Sequence, residues 1–343
     1  MKKITHLSCL LFLIPAFLLS SIGYAQDPGY HVIRQIHLGG GGGWDYINVF
    51  HPLHRVYVSH GTEVIVMDER SGDSIGVIPH TIGVHGIVFA PEFNKGFVTD
   101  GQLNQVTVFN LKTNQVIDSV GTGKGPDGIL YDPFTKKVFV NCGQSQVATI
   151  IDASTDHVYK TLPLGGRPET AVSDGQGHIY VNIESKSELA AINTRNFTIT
   201  NDWPIGKGQS PSGLAIDSKH HVLFIGCDNK MMVVMNAKTG AVLAELPTGQ
   251  GCDGTDFDPG TGYAFSSNGE GTLTMIKDVA GKYKVVANVP TKRGARTSTV
   301  DVVNHHLFLP TAEFGPETAQ TPNQRFHRPP IIPGTFEVLE VGK

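Results

Sequence analysis

The sequence predicts an all-β fold, a single seven-bladed β-propeller. Seven segments, spaced by 40 to 43 residues, each open with a polar residue, continue in six cases with a small one, and run into an apolar strand. Each repeat holds about four short strands rich in β-branched and aromatic residues, which strands prefer. The 40 glycines and 20 prolines suit a chain with many turns. A fixed period of this length with four strands per unit is typical of a propeller.

The polar residues that open the seven repeats are called the inner set here. They are Asp45, His85, Asp127, Glu169, Ser212, Asp253 and Arg296. Equivalent positions of all blades converge on the central channel, so we expect these side chains to meet at one mouth of it. The small residue that follows each of them has a physical reason, since blades crowd most closely at the axis. Tyr46 is the large exception.

The second strands carry a recognisable signature. It is clearest in residues 57–60, 97–100, 139–142 and 180–182, which read YVSH, FVTD, FVNC and YVN. This signature resembles the Tyr-Val-Thr-Asn repeat of the YVTN or YncE-like seven-bladed propellers, and the resemblance covers essentially the whole mature chain. More distantly, the chain resembles the lactonase-type propellers. The resemblance implies the fold, but the YVTN family has no shared catalytic motif whose residues could be carried over to this chain.

The two ends of the chain are out of phase with the repeat. Residues 30–38 fit a fourth strand that lacks the first three, and residues 335–341 fit the third strand of the last blade. The sequence therefore predicts that the N- and C-terminal strands share the last blade and close the ring. Such closure removes an exposed sheet edge.

Residues 1–25 are predicted to be a signal peptide. Lys2 and Lys3 precede an apolar stretch at residues 7–19, and a small-x-small cleavage site at 23–25 precedes Gln26. Residues 26–343 then form one propeller domain, which we expect to be periplasmic or secreted and monomeric. No later stretch is long and apolar enough to suggest a membrane span in the mature chain.

The charge balance argues against nucleic acid as a partner. The net charge is −4, and it becomes −6 when the predicted leader with its two lysines is removed. No run of Lys or Arg forms the basic stripe that nucleic acid requires. We therefore expect a small molecule or a protein partner at the channel face.

A second set of polar residues follows the second strands and is expected at the same mouth. It comprises His60, Asp100, Cys142, Glu184, Asp228, Glu270 and Glu313. Four carboxylates of the inner set packed together should raise one another's pKa values. Such a cluster suits a divalent cation or a general acid and base. Alternatively, these side chains only hydrogen-bond nearby backbone amides.

Three functions remain open at this point. The first is an exported propeller that binds a small ligand, metal or partner at the channel mouth. The second is a cation-assisted hydrolase or lyase acting on a lactone or sugar-like substrate. The third is a protein-interaction platform that uses the broad faces. The catalytic candidates are His85, Asp127 and Glu169, and the ligand-binding candidates are Asp45, Ser212, Asp253, Arg296, His60 and Glu313.

Two further features leave alternatives. Residues 312–334 form a proline-rich insert that breaks the repeat, and they suggest either a partial lid over the channel face or a surface excursion. Cys227 and Cys252 lie near the same mouth on neighbouring blades, either as a disulfide or as two separate buried thiols. Cys142 is then the odd thiol.

Overall fold

The structure is a computed structural model that describes residues 28–316 and 329–343. The predicted leader and the middle of the insert lie outside the described residues. Seven four-stranded antiparallel sheets are arranged as the blades of a propeller, so the predicted fold is confirmed. The helical elements of the described ranges are three 3₁₀ turns, at His51–Leu53, Pro91–Phe93 and Glu184–Lys186. Within those ranges, no helix has the length and apolar character needed to cross a membrane.

Blades 1 to 3 follow the chain order, and strands are numbered from the N-terminus. Strand β1 (His31–His37) precedes them and belongs to the last blade. Blade 1 comprises β2 to β5 at Ile47–Phe50, Arg55–His60, Glu63–Asp68 and Ser74–Ile78. Blade 2 comprises β6 to β9 at Val84–Ala90, Lys95–Asp100, Gln105–Asn110 and Val116–Gly121. Blade 3 comprises β10 to β13 at Pro126–Asp132, Lys137–Cys142, Val147–Asp152 and His157–Pro163.

Blades 4 to 6 repeat the same order, and blade 7 is completed by β1. Blade 4 comprises β14 to β17 at Pro168–Ser173, His178–Ile183, Glu188–Asn193 and Thr198–Pro204. Blade 5 comprises β18 to β21 at Pro211–Asp217, Val222–Cys227, Met231–Asn236 and Val242–Pro247. Blade 6 comprises β22 to β25 at Cys252–Asp258, Tyr263–Asn268, Thr272–Val279 and Lys282–Pro290. Blade 7 contains β26 to β28 at Thr299–Asp301, His306–Thr311 and Glu337–Gly342.

Both chain ends close the ring in blade 7, as the sequence predicts. Its strand order from the axis outwards is β26, β27, β28 and β1, with β1 antiparallel to β28. Arg34 on β1 donates one hydrogen bond to the Glu340 carboxylate at 2.7 Å and another to the Glu69 carbonyl at 2.8 Å. The N-terminal strand is therefore bonded to its own blade and to blade 1.

The first strands of blades 2 to 6 are each irregular at the inner-set position. Their pairing with the second strand shifts register there, for example between Val84 and Ile87 around His85, and between Pro126 and Ile129 around Asp127. A bulge of this kind re-aims a side chain, here towards the channel. In blades 1 and 7 the first strand begins only at Ile47 and Thr299, later than the sequence suggests. The inner-set residue there precedes the strand.

At each of the seven blade junctions, a polar side chain donates a hydrogen bond to a backbone carbonyl of the next blade. The donor and acceptor residues are Asn48 and Ile87, Thr99 and Asp127, Asn141 and Glu169, Asn182 and Gly213, Ser212 and Cys252, Ser267 and Arg296, and Thr297 and Asp45, at 2.5 to 3.0 Å. In the signature of the second strands, Thr99, Asn141 and Asn182 occupy the third position. In these three strands, the polar side chain at that position joins neighbouring blades.

All three described cysteines are free and buried, so Cys227 and Cys252 are separate thiols. The Cys252 thiol donates to the Gly254 carbonyl, and it accepts a hydrogen bond from the Ser266 hydroxyl at 3.0 Å. Burial raises the pKa of Cys227 to about 12 and that of Cys252 to about 11. Burial also raises the pKa of Cys142. None of the three thiols therefore carries the negative charge that a nucleophile needs near neutral pH.

The glycines of the opening motif are dictated by the distance between blades. A Cβ atom on Gly128 would lie 2.3 Å from the carbonyl oxygen of Glu169 on the next blade. A Cβ atom on Gly213 would lie 2.8 Å from the backbone nitrogen of Thr255. Real Cβ atoms do not approach backbone this closely, so any larger residue forces the blades apart.

We expect the substitution Gly128→Ala to lower the free energy of unfolding by about 1 to 3 kcal/mol, because the added methyl group overpacks the junction of blades 3 and 4. Urea denaturation followed by circular dichroism measures this loss. The matched control is Gly121→Ala, where a Cβ atom meets nothing within 4 Å and the change should stay within about 0.5 kcal/mol. Equal stability of the two variants would contradict close packing at the axis.

Candidate functional site

The upper face is defined here as the face on which the first strand of each blade begins and the second strand ends. A cavity of 540 Å³ opens there over the channel. A second cavity of 430 Å³ adjoins it on the side of blades 2 to 4 and shares Asp127, Arg167 and Glu169 with it. The inner-set members that line one or both cavities are His85, Asp127, Glu169, Ser212, Asp253 and Arg296.

His85 lies between two carboxylates. Its Nδ1 atom is 2.6 Å from Asp45 Oδ2 and 3.6 Å from Asp127 Oδ1. Burial by itself lowers the pKa of His85, but the hydrogen bond to Asp45 and the charges of Asp127 and Asp45 outweigh it and raise the pKa to about 9. The imidazole is therefore positively charged at neutral pH.

Arg296 is the second cation of the inner set and links three backbone segments around the channel. Its Nε atom donates to Asp253 at 2.6 Å, and its Nη2 atom donates to the Trp44 carbonyl at 3.0 Å and to Asp45 at 3.2 Å. The guanidinium is fully charged and its side chain is 15% exposed. Its positive charge is therefore shared by Asp45 and Asp253.

The negative charges of Asp127 and Glu169 are less fully neutralised than those of Asp45 and Asp253, which pair with Arg296. Burial, partly offset by His85 and reinforced by Asp45 and Asp253, raises the pKa of Asp127 to about 6. Burial and the charge of Asp127 raise the pKa of Glu169 well above its usual value. The Oδ1 atom of Asp127 is buried and has no hydrogen-bond partner among the described residues. The four acids of the inner set therefore exceed what His85 and Arg296 neutralise.

Tyr46 crosses the channel beneath this cluster. Its hydroxyl lies 3.5 Å from the Thr170 hydroxyl on blade 4, which is on the far side of the ring from blade 1. Burial and the charge of Glu169 raise the pKa of Tyr46 well above its usual value. The large residue at this one position therefore places a neutral phenol across the axis.

One wall of the larger cavity is apolar and includes the described ends of the insert. Phe314 and Ile331 pair through a short antiparallel bridge, and both line the cavity together with Pro329 and Trp44. The Trp44 ring packs against Phe314 with the ring centroids 5.9 Å apart. The middle of the insert, including Arg325 and His327, lies outside the described residues.

The other predicted ligand-binding residues occupy different surroundings. Ser212 lines the cavity, but its hydroxyl donates to the Cys252 carbonyl and thereby joins blades 5 and 6. His60 is buried and stacks on Phe336 with the ring centroids 4.2 Å apart, so it does not reach either cavity. Glu313 is exposed at the start of the insert and is also outside the cavity lining.

The second set is divided in the structure. Asp100 and Cys142 are buried within their blades, where Asp100 accepts hydrogen bonds from Thr107 and Gln105. Glu184 and Asp228 follow the strand ends by one residue and do line the cavity. Glu270 lies outside both cavity linings and accepts a hydrogen bond from the Gln250 backbone.

Two arginines of the cavity wall are functional candidates that sequence reasoning missed. Arg167 forms an ion pair with Glu184, and Arg293 lies with its guanidinium carbon 5.7 Å from the Phe314 ring centroid. Each precedes the opening of its repeat, at a position that varies from blade to blade. One signal for Arg167 is present in the sequence: it stands directly before Pro168, the first residue of a first strand.

Asp45, His85 and Asp127 are close enough to share a divalent cation, since their ligand atoms lie within 4.8 Å of one another. The Nδ1 atom of His85 already forms a hydrogen bond with Asp45 at 2.6 Å, and a metal that used this nitrogen would have to replace that bond. A charged organic group can approach the same carboxylates and leave the bond in place.

No family model and no curated protein matches the chain by sequence. Solved structures share its fold. The hydrazine synthase of Kuenenia stuttgartiensis superposes with a TM-score of 0.70 at 14% identity, covering 78% of this chain and 92% of that one. U3-55K gives a TM-score of 0.72 at 10% identity, with 90% and 98% covered. The RRP9 WD40 repeats give 0.72 at 10% identity, with 91% and 97% covered. These likenesses show the fold alone.

We expect the imidazole of His85 to titrate near pH 9 and to return towards its ordinary value of about 6.5 in Asp45→Asn, because that substitution removes the principal hydrogen bond to the cation. Heteronuclear NMR of the ring measures both values. The stabilisation from protonated His85 is complete below about pH 6.5 and is lost as the pH rises through about 9. The control Asp118→Asn, on an exposed outer strand, should leave the titration unchanged. A wild-type pKa at or below 6.5 would contradict this account.

Proposed function

We propose that the protein binds a small organic molecule with a positively charged group in the cavity of the upper face. The observation that carries this proposal is the excess of carboxylates over cations in the wall of that cavity. A ligand cation beside Asp127 and Glu169 supplies the missing charge.

The charges of the wall support a cationic ligand. Five acids, Asp127, Glu169, Glu184, Asp228 and Asp253, face three arginines, Arg167, Arg293 and Arg296. Arg296 is already bonded to Asp253, and Arg167 to Glu184. Asp127 and Glu169 are the acids whose pKa values burial raises, which means that their ionised forms are under-stabilised without a ligand.

The size and the apolar wall support an organic ligand rather than a bare ion. A cavity of 540 Å³ lies within the range of small-molecule sites, at about 300 to 1,000 Å³. Trp44 and Phe314 offer aromatic surface on the side opposite the acids of blades 3 and 4. An ammonium group is attracted both to carboxylates and to aromatic faces.

A second candidate is the cation-assisted hydrolase or lyase acting on a lactone or sugar-like substrate. The favouring observation is that Asp127, with a pKa of about 6, lies beside protonated His85, so that a base and an acid share one site near neutral pH. Loss of lactone hydrolysis in His85→Ala with an unchanged melting temperature supports this function.

A protein-interaction platform is the remaining alternative. It predicts that substitutions of His85 and Asp127 are silent, and that changes on the outer surface of a blade matter.

We also propose that the protein is exported, to the periplasm or beyond, on the basis of the leader-like sequence at residues 1–25. Expressed with its native N-terminus in a Gram-negative bacterium, the protein should be recovered from the periplasmic fraction. Its intact mass should correspond to a chain that begins at Gln26. Recovery of the full-length chain from the cytoplasm would contradict export.

The proposed ligand class can be tested with choline and its uncharged isostere 3,3-dimethylbutan-1-ol, within a broader panel of amines paired with neutral analogues. We expect the charged members to bind more tightly, and their affinity to rise by up to about tenfold from pH 5 to pH 7 as Asp127 ionises. Choline keeps its charge throughout this range, so its own titration does not contribute. Isothermal titration calorimetry measures both effects.

The variant Asp127→Asn should weaken amine binding and flatten the pH profile, because it removes the titrating carboxylate. Asp118→Asn removes an equal charge from the exposed outer edge of blade 2 and should change neither. Tighter binding of the neutral member in every pair would reject the proposed function.

A further inference from the structure

A cluster of histidines and acids lies on the lower face, at the junction of blades 1 and 7, away from the cavity described above. His51 begins the 3₁₀ turn after β2, and His54 follows that turn with a φ of 50°. Glu69 comes directly after β4, and Asp301 ends β26 on blade 7. The four residues therefore come from three separate segments that the ring closure brings together.

Three members of this cluster bring their ligand atoms close together, and Asp301 lies beside one of them. Those of His51, His54 and Glu69 all lie within 4.8 Å of one another. The Nδ1 atom of His51 is 3.2 Å from Glu69 Oε1 and 3.4 Å from Asp301 Oδ2. The Nδ1 atom of His54 is 3.4 Å from Glu69 Oε2. Two imidazoles thus face two carboxylates across a single small space.

Three of these atoms are buried without a hydrogen bond among the described residues: His54 Nδ1, Glu69 Oε2 and Asp301 Oδ2. The acids are deeply buried, with side-chain exposures of 3% for Glu69 and 1% for Asp301. Their other oxygens are satisfied, by Asn304 for Glu69 and by the backbone of Val303 for Asp301. Both carboxylate oxygens lie 3.4 Å from an imidazole nitrogen of the cluster without forming a hydrogen bond. A buried carboxylate oxygen without a hydrogen bond is costly, so a further partner is expected at this point.

The repeat itself supplies a comparison for Glu69. In blades 1 to 5, the residue directly after the third strand donates its backbone N–H to a carbonyl just before the second strand. The accepting residue has a positive φ in each case, and in blade 4 it is a glycine. The donor residues are Glu69, Leu111, Ala153, Thr194 and Ala237. Only Glu69 of these five is charged, although the position is buried in every one of them. Folding of a blade therefore does not require an acid here.

We propose that His51, His54, Glu69 and Asp301 bind a divalent transition-metal ion of the zinc class. Two imidazole nitrogens and two carboxylate oxygens form a ligand set that zinc accepts in tetrahedral geometry. The ion satisfies the three atoms without partners and neutralises two buried acids. It is a different occupant from the organic cation of the upper face, and it uses different residues.

Arg70 faces His54 from the outer side and must be included in this account. Its guanidinium donates to His54 Nε2 at 2.6 Å, which places the proton of the neutral ring on Nδ1. Metal binding at Nδ1 moves the proton to Nε2 and releases the exposed Arg70 side chain. Arg70 therefore competes with the metal, and Arg70→Ala should tighten binding.

The ion would tie blade 1 to blade 7. His51, His54 and Glu69 belong to blade 1 and Asp301 to blade 7, while Arg34 of the N-terminal strand already bonds the carbonyl of Glu69. The metal thus reinforces the junction at which the two chain ends close the ring. We expect zinc to raise the melting temperature of the whole propeller, since it binds only the closed form.

The test uses the full mature chain, stripped with a chelator and titrated with ZnCl₂ by calorimetry, with bound metal counted by mass spectrometry. We expect one zinc ion per chain at this site and a rise in melting temperature. His51→Ala, and His54→Asn combined with Glu69→Leu, should weaken binding by at least about 100-fold. The second variant carries the residues that blade 2 has at these positions, Asn94 and Leu111, so the fold can accommodate them.

Two controls separate this site from others. His305→Ala removes a histidine that pairs with Asp258 at the junction of blades 6 and 7, and should retain zinc binding. His85→Ala should also retain it, because His85 belongs to the upper face. Cobalt(II) substitution adds a visible spectrum that requires direct ligands and should vanish in His51→Ala. The proposal is overturned if the wild-type chain binds no zinc, or if His85→Ala abolishes binding while the His51 variant retains it.

Discussion

The fold depends on hydrogen bonds that run from a polar side chain on one blade to a backbone carbonyl on the next. In four of the seven junctions the accepting carbonyl belongs to Asp45, Asp127, Glu169 or Arg296, so the bond that joins two blades also orients a residue of the channel mouth. Sheet packing alone tolerates sliding between blades. These directed bonds remove that freedom, and the charged cluster inherits its geometry from them. Stability and site are thus built from the same contacts.

Much of the architecture could be predicted from the sequence because propellers repeat. The period predicts seven blades, the out-of-phase ends predict the shared last blade, and equivalence around an axis predicts that residues as distant as Asp45 and Arg296 meet. The structure places their side chains 3.2 Å apart. Repetition makes such long-range contacts readable, since one local pattern determines where every copy points.

The composition of the cavity wall could not be predicted from the sequence. It depends on the exact residue at which each strand ends, and on segments that do not repeat. His60 ends its strand and points into the blade, whereas Glu184, one residue beyond its own strand end, faces the cavity. A shift of one position reverses the side on which a strand residue lies. The apolar wall formed by Trp44 and Phe314 depends on an insert that has no counterpart in other blades. The lower-face acid Glu69 stands out only after its neighbours in space are known.

Tyr46 gives the channel a direction. Because its ring spans from blade 1 to Thr170 on blade 4, a solute that enters from the upper face meets a barrier within the bore. A ligand held above this ring enters and leaves from the upper face. The side chains that surround the cavity on the upper face therefore control how long a ligand stays bound.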